Sequence, residues 1–320
     1  MKNSAKKLIP LLLALAVLLS GCARQTDEVR DETKLQIVCS SFPAYDFARE
    51  IAGDRAQLKL LLKPGAEVHS YEPSPKDVIA IEESDLFICN GGESEAWVES
   101  LVPEGLETVY MLNCVEAVAE SDEGIYAKDA DHDHDHDDEH GEEEEELDEH
   151  VWTSPLNAKE ICLAICDKLC EIDPEHATEY IINYEVYKTK LLELDIEIRT
   201  AVLNGEHNTL IFADRFPMRY FTREYGLEYY AAYPGCASQT EPSAKTVAFL
   251  IDHVREENIP AVLYMEFSNE KMADVICEDT GCVKLPFYSA HSVTAEQFEA
   301  GVTYLDLMRM NIESLKEALG

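Results

Sequence analysis

What most limits the fold of this chain is an alternation: short apolar runs ending on turn residues, each followed by a stretch of helical periodicity, first in the N-terminal and again in the C-terminal half. Leu35–Cys39 reads as a buried strand, 44–51 as a helix, and 58–62 as a strand halted by Lys63-Pro64-Gly65. A helix over 76–83, a strand over 86–90 stopping at Gly91-Gly92, and a short strand over 109–112 follow. The pattern resumes with strands over 209–213, 229–233, Ala261–Met265 and 283–285, separated by helices over 218–225, 244–258 and Lys271–Thr280, with a last helix reaching 319. Alternation of this kind predicts parallel βαβ units. Between the halves, 156 to about 200 is a long helical pattern broken near Asp173-Pro174, which would separate two α/β lobes. Ligands of open α/β sheets sit beyond the carboxyl ends of strands, so a site is expected on loops that follow strands.

The amino terminus reads as an export signal. Lys2, Lys6 and Lys7 give a positive start and 8–19 an apolar run, shorter than the roughly 20 residues a spanning helix needs. The run closes on Leu19-Ser20-Gly21-Cys22, which resembles the bacterial lipobox; cleavage before Cys22 would leave its thiol carrying lipid. An ordinary secretory signal with an incidental cysteine is the alternative. The expected division is a signal over 1–21, a lipid anchor and tether over 22–33, an α/β lobe over 34–155 containing a disordered loop over 120–148, a linking helix over 156–204, and a second α/β lobe over 205–320.

The net charge of −38 argues against nucleic acid, whose phosphates are bound by Lys and Arg. It suits a cation. Residues 120–150 hold 17 acidic residues against Lys128 alone, so this stretch carries −16 of that charge. Inside it, Asp131-His132-Asp133-His134-Asp135-His136 and then His140 form a low-complexity tract with no apolar face to bury. Alternating His and Asp points to a weak metal collector rather than to a solvated charge run.

Ten cysteines in an exported chain suggest disulfides, but nine remain once Cys22 is lipidated, leaving at least one unpaired. Cys162, Cys166 and Cys170 fall on one helical stripe and read as small core residues. Cys277 and Cys282 are close enough in sequence to pair or to stay free.

Three histidines stand just after predicted strands or at loop ends: His69, His150 at the close of the acidic stretch, and His291. Neutral imidazole is the commonest nitrogen ligand of zinc. Singly each reads as a loop histidine; together, in corresponding places of two lobes, they read as a metal site.

The motif His69-Ser70-Tyr71-Glu72-Pro73-Ser74-Pro75-Lys76-Asp77, with Ala80 and Ser84-Asp85-Leu86-Phe87, resembles the first ligand motif of the zinc and manganese ABC-transporter substrate-binding lipoproteins. Glu149-His150-Val151-Trp152, Pro155-Leu156-Asn157-Ala158, Tyr225-Gly226-Leu227, Glu241-Pro242-Ser243, Tyr304, Asn311 and Leu315 extend the likeness over nearly the whole mature chain. The resemblance implies two lobes of parallel sheet joined by a long backbone helix, with one metal in the cleft and no enzymatic activity. His69 and His150 would come from the first lobe. The His-rich loop is similar to that of the zinc-specific branch.

The second lobe departs from the family pattern. Its usual His or Glu falls on Arg215, whose guanidinium stays protonated and cannot ligate; Asp214 is the nearest usable donor. The late Asp falls near Ser289-Ala290-His291. The expected ligands are therefore His69, His150 and His291 with Asp214 or water, and Glu266 as a carboxylate orienting an imidazole. Three imidazoles and one oxygen suit Zn2+, whereas Mn2+ prefers more oxygens. The resemblance also implies a permease and an ATPase as partners, and with the lipid it places a monomer on the outer face of the cytoplasmic membrane. A secreted zinc hydrolase is the rival reading, but no HExxH pairing or serine nucleophile elbow is present. An adhesin would be a secondary role.

Overall fold

The structure is a computed structural model that describes residues 30–66, 71–121, 123–125, 146–235 and 243–320. Cys22, His69, His132, His134, His136 and His140 lie outside the described residues. Lys34–Gly320 forms one compact unit, apart from Met1–Thr33.

The first sheet is built from β1 (Leu35–Cys39), β2 (Ala56–Leu60), β3 (Leu86–Cys89) and β4 (Thr108–Tyr110) in the order β2-β1-β3-β4. All its pairings are parallel. Parallel strands are covered on both faces, which is why β3 is the continuous apolar run LFIC and is buried throughout. The crossovers are α1 (Phe42–Ala52), α2 (Pro75–Glu82) and the single turn α3 (Val98–Leu101). In α1, Pro43 lies in the first turn and Gly53 ends the helix at φ 53°, while Phe47, Ala48 and Ile51 face the core.

Two helices then cross the molecule. Ser154 caps α4 (Pro155–Ile172) by accepting from Asn157 N at 3.3 Å, and Pro174 lies just beyond its end. The second, α5 (Ala177–Asn204), has 28 residues and so is about 42 Å long. Tyr180, Tyr184, Tyr187, Leu191, Leu194, Ile198 and Ala201 recur along it at helical spacing and are buried. Tyr187 meets Phe47 of α1 at 6.4 Å between ring centroids, and Asp195 accepts from Tyr225 Oη at 3.2 Å.

The second sheet comprises β5 (Thr209–Phe216), β6 (Glu228–Pro234), β7 (Ala261–Met265) and β8 (Val283–Phe287) in the order β6-β5-β7-β8, again all parallel. Its helices are α6 (Arg219–Tyr225), α7 (Ala244–Glu257) and α8 (Lys271–Thr280), followed by α9 (Ala295–Glu299) and α10 (Tyr304–Ala318). Tyr225 is the tyrosine that α6 turns toward Asp195 of α5. Thus α5 packs against helices of both sheets, and the expected α/β class with two parallel sheets is what the chain adopts.

The largest core is continuous across the molecule, including Ile37, Phe47, Trp152, Tyr187, Phe212, Phe287 and Tyr304. Cys162 and Cys166 are buried within it and Cys170 packs against it, so this stripe is core. The acidic stretch is tied down at both flanks: Ala119 bridges Leu147, Glu120 N donates to Glu146 O at 2.7 Å, and Ala231 N donates to Gly124 O at 2.9 Å. These backbone bonds make the flanks of 120–148 part of the fold, where the sequence led us to expect disorder.

Candidate metal centre

His150 stands between the end of the acidic stretch and a short turn, Val151–Thr153, that leads into α4. Its side chain is 2% exposed. Asp148 Oδ1 accepts His150 N at 2.9 Å and lies 3.2 Å from His150 Nδ1, so one carboxylate fixes both backbone and ring. A ring held through Nδ1 directs Nε2 the other way, the arrangement in which an imidazole ligates a metal while a carboxylate orients it. Burial pushes the Asp148 carboxyl up, but the His150 ring, its N–H and the Arg219 charge together hold it below the usual range. The neighbouring Glu149 is held through both main chain and side chain: Asn90 Nδ2 donates to Glu149 O at 2.9 Å and Ser94 N to Glu149 Oε1 at 2.9 Å. Gly92, at φ 91°, is required here, since a Cβ would lie 2.4 Å from Glu149 Oε1.

Three further hydrogen bonds tie this segment to residues of the C-terminal half. Tyr220 Oη of α6 donates to Asp148 O at 2.8 Å. Trp152 Nε1 donates to Ser289 O at 2.8 Å, and Tyr304 Oη donates to Trp152 O at 2.8 Å. The Trp152 ring, fully buried, lies 4.6 Å from the His291 ring.

His291 follows β8. Ala290 turns the chain at φ 58°, a conformation unusual outside glycine, and His291 N donates to Ser289 Oγ at 3.2 Å. Ser289 in turn donates through N (2.8 Å) and Oγ to the Glu266 carboxylate. Burial raises the Glu266 carboxyl, and the Ser289 bonds and the Arg215 charge oppose that. Glu266 therefore acts on the turn that carries His291, through Ser289. The ring centroids of His150 and His291 lie 5.8 Å apart at 88°; two imidazoles on one tetrahedral zinc hold their centroids roughly 5 Å apart.

Asp214 ends up at the crevice where the second sheet reverses its strand order. Its Oδ2 accepts Met265 N of β7 at 3.2 Å and its Oδ1 accepts Arg215 N at 2.8 Å, so the carboxylate joins the carboxyl ends of β5 and β7. Among the described residues, no group of three His, Cys, Asp or Glu side chains is placed to hold a metal ion. Opposite, Gly235 packs on the His150 ring: a Cβ there would lie 3.1 Å from His150 Cε1. Of the sequence-derived set, then, the fold brings together His150 and His291, links Glu266 to His291 through Ser289, and puts Asp214 to work on backbone. Sequence reasoning assigned no role to Asp148, although a carboxylate two residues before a candidate ligand was the available signal. For the Trp152 to Ser289 bond there was none.

The model of the family described as "ZnuA: Zinc-uptake complex component A periplasmic" matches residues 37–318. The chain is 29% identical over 311 residues to the high-affinity zinc uptake system protein ZnuA of Bacillus subtilis, covering 96% of both. It is 30% identical over 313 residues to the zinc-binding lipoprotein AdcA of Streptococcus pneumoniae, covering 97% of this chain but 61% of AdcA. Among solved structures, the Zn(II)-bound ZnuA-like domain of S. pneumoniae AdcA superposes with a TM-score of 0.72 at 26% identity, over 89% of this chain and 99% of that domain. The metal-dependent lipoprotein YcdH of B. subtilis gives 0.73 at 27% identity, over the same shares.

Proposed function

We propose, from the premise that this chain belongs to the zinc-uptake complex component A family, that it is the extracytoplasmic substrate-binding component of an ABC importer. It captures Zn2+ and delivers it to the permease, with the ATPase driving import. Family membership makes it a transport component and not an enzyme. The observation that carries the metal reading is the approach of His150 and His291, with ring centroids 5.8 Å apart, each seated in a hydrogen-bonded turn at the end of its own lobe.

In this reading His69 supplies a third imidazole, and Asp214 or water completes a tetrahedral shell. Neutral nitrogen donors suit zinc, whereas Mn2+ would call for more oxygens. The histidines His132, His134, His136 and His140 collect metal weakly and pass it on, because a chain that must be ordered on binding holds its ligand less tightly than a preformed site. Cys22 carries the lipid that holds a monomer at the outer face of the cytoplasmic membrane. No helix among the described residues is long and apolar enough to cross a membrane. The divisions 34–155, 156–204 and 205–320 serve as two ligand-bearing lobes and their linking helix.

Metal analysis of protein purified without added metal, followed by competition titration of zinc against manganese, tests this. One tight zinc site is expected, surviving deletion of 129–147, while the weak sites disappear. Loss of tight binding with that deletion would overturn the cleft reading, and preference for manganese would overturn the choice of metal.

A further inference from the structure

We infer that Cys277 and Cys282 are a redox modification site, a dithiol that closes to a disulfide across the turn between α8 and β8. The two Sγ atoms lie 3.4 Å apart, and both residues are half-buried. Bond formation requires about 2.05 Å, so the sulfurs must approach by a little over 1 Å, within reach of side-chain rotation. The backbone between them is fixed from both ends. Gly281, at φ 80°, closes α8 by donating its N–H to Cys277 O at 2.9 Å, and Cys282 N donates to Thr280 Oγ1 at 3.3 Å. Val283 N donates to Pro260 O at 3.0 Å and pairs β8 with β7 in register. The two thiols are therefore preorganised by a helix cap and a strand start.

Four of the other described cysteines contrast with this pair. Cys39, Cys89, Cys162 and Cys166 are buried in apolar cores, where burial pushes their thiols up and out of reach of an oxidant. Cys277 is also held up, to about 12, by partial burial and by its contact with Cys282. Exchange therefore proceeds through the small thiolate fraction that Cys277 holds at any moment, which slows the step without changing its balance.

The step balances as thiol–disulfide exchange. Oxidised glutathione takes two electrons and the two thiol protons and leaves as two glutathione thiols, while one S–S bond forms between Cys277 and Cys282. The linkage encloses a short loop at the amino end of β8, the end opposite Ser289 and His291. It should stabilise the second lobe without moving the metal ligands.

The full chain is incubated with oxidised glutathione or with a phosphine reductant, alkylated, and mapped by mass spectrometry, with melting temperature and zinc affinity measured on both forms. Expected are a 277–282 cross-linked peptide, a melting temperature higher by about 3 to 5 °C in the oxidised form, and zinc affinity unchanged within threefold. The temperature difference should vanish in Cys282→Ser and in Cys277→Ser. Alkylation of both cysteines after oxidation, or a link from either to another cysteine, would overturn the inference. So would a temperature difference that persists in both variants. The mapping needs no metal, so it stands or falls apart from the zinc reading.

Discussion

The two lobes share one strand order but seat their histidines by different means. In the first lobe the imidazole of His150 is tied directly to the Asp148 carboxylate, and its backbone is tied there too. In the second, the chain is turned at Ala290 and held through Ser289 to Glu266, so that His291 is placed by its backbone and by packing on Trp152. Asp148 thus bears on His150, while the turn at Ala290 with Ser289 and Glu266 bears on His291. The two should therefore fail under different substitutions.

The strongest break is at the residue that belongs to both arrangements. Trp152→Ala removes a fully buried indole, its bond to Ser289 O and its contact with the His291 ring, and should lower unfolding free energy by about 3 to 5 kcal/mol. Urea denaturation of the metal-free protein reads this directly; a loss under 1 kcal/mol would mean that the lobes do not depend on this contact.

Next come the ligands themselves. In protein lacking 129–147, His150→Ala and His291→Ala should each weaken zinc by about 100-fold or more, since disturbing only the partners of a metal ligand already loses about 10- to 100-fold. Competition titration against a chelator of known affinity measures both. Parent-like binding by His291→Ala would leave the second lobe without its assigned ligand. Affinity of the parent should also fall steeply below about pH 6, because imidazoles bind metal deprotonated and their unperturbed pKa is near 6.5.

A smaller effect separates the two seating modes. Asp148→Asn keeps the shape but removes the charge facing His150, and should weaken zinc by about 10-fold. Because the folded protein holds the Asp148 carboxyl below its unfolded value, that carboxylate contributes stability above about pH 4, and the contribution fades as pH falls through the folded value. Denaturation profiles between pH 5 and 2 should thus be flatter for Asp148→Asn than for the parent. Identical profiles would remove the charge from the account of how His150 is held.

Asp214→Ala should do least, less than about 10-fold on zinc, since water can replace one oxygen and both its carboxylate oxygens accept backbone N–H groups. A loss equal to that of His291→Ala would make Asp214 a ligand in its own right.

Two central strands were legible to the residue: β1 and β7 lie where their apolar runs predict. Edges were not. The run at 58–62 suggested a strand displaced from the observed Ala56–Leu60; Leu61 and Leu62, both buried, still donate to Cys39 O at 2.9 Å and Ser40 O at 3.2 Å past its end. Strand β8 runs through Pro286 to Phe287, where the sequence reading stopped at Leu285; as an edge strand paired only to β7, it tolerates a residue without an N–H. The final helical pattern divides at Gly301, which has φ 73°, giving α9 and α10.

At the site, the His150 and His291 pairing could be anticipated because His150 closes the acidic stretch within the Glu149-His150-Val151-Trp152 motif and His291 follows the predicted last strand. What joins them could not. The bonds from Trp152 to Ser289 and from Tyr220 to Asp148 link residues remote in sequence, and nothing in local pattern marks them.

The core that runs without a break from Phe47 through Trp152 to Phe287 also bears on how fast cargo is exchanged. Prising the lobes apart would open cavities throughout a close-packed interior, so a wide hinge movement is not available at low energy. Little of the energy of capture is then spent on reshaping the protein, and empty and loaded forms should give nearly the same scattering profile. With the proposed ligands, the residence time of the ion would be set by breaking its own bonds to the imidazoles, one ligand at a time.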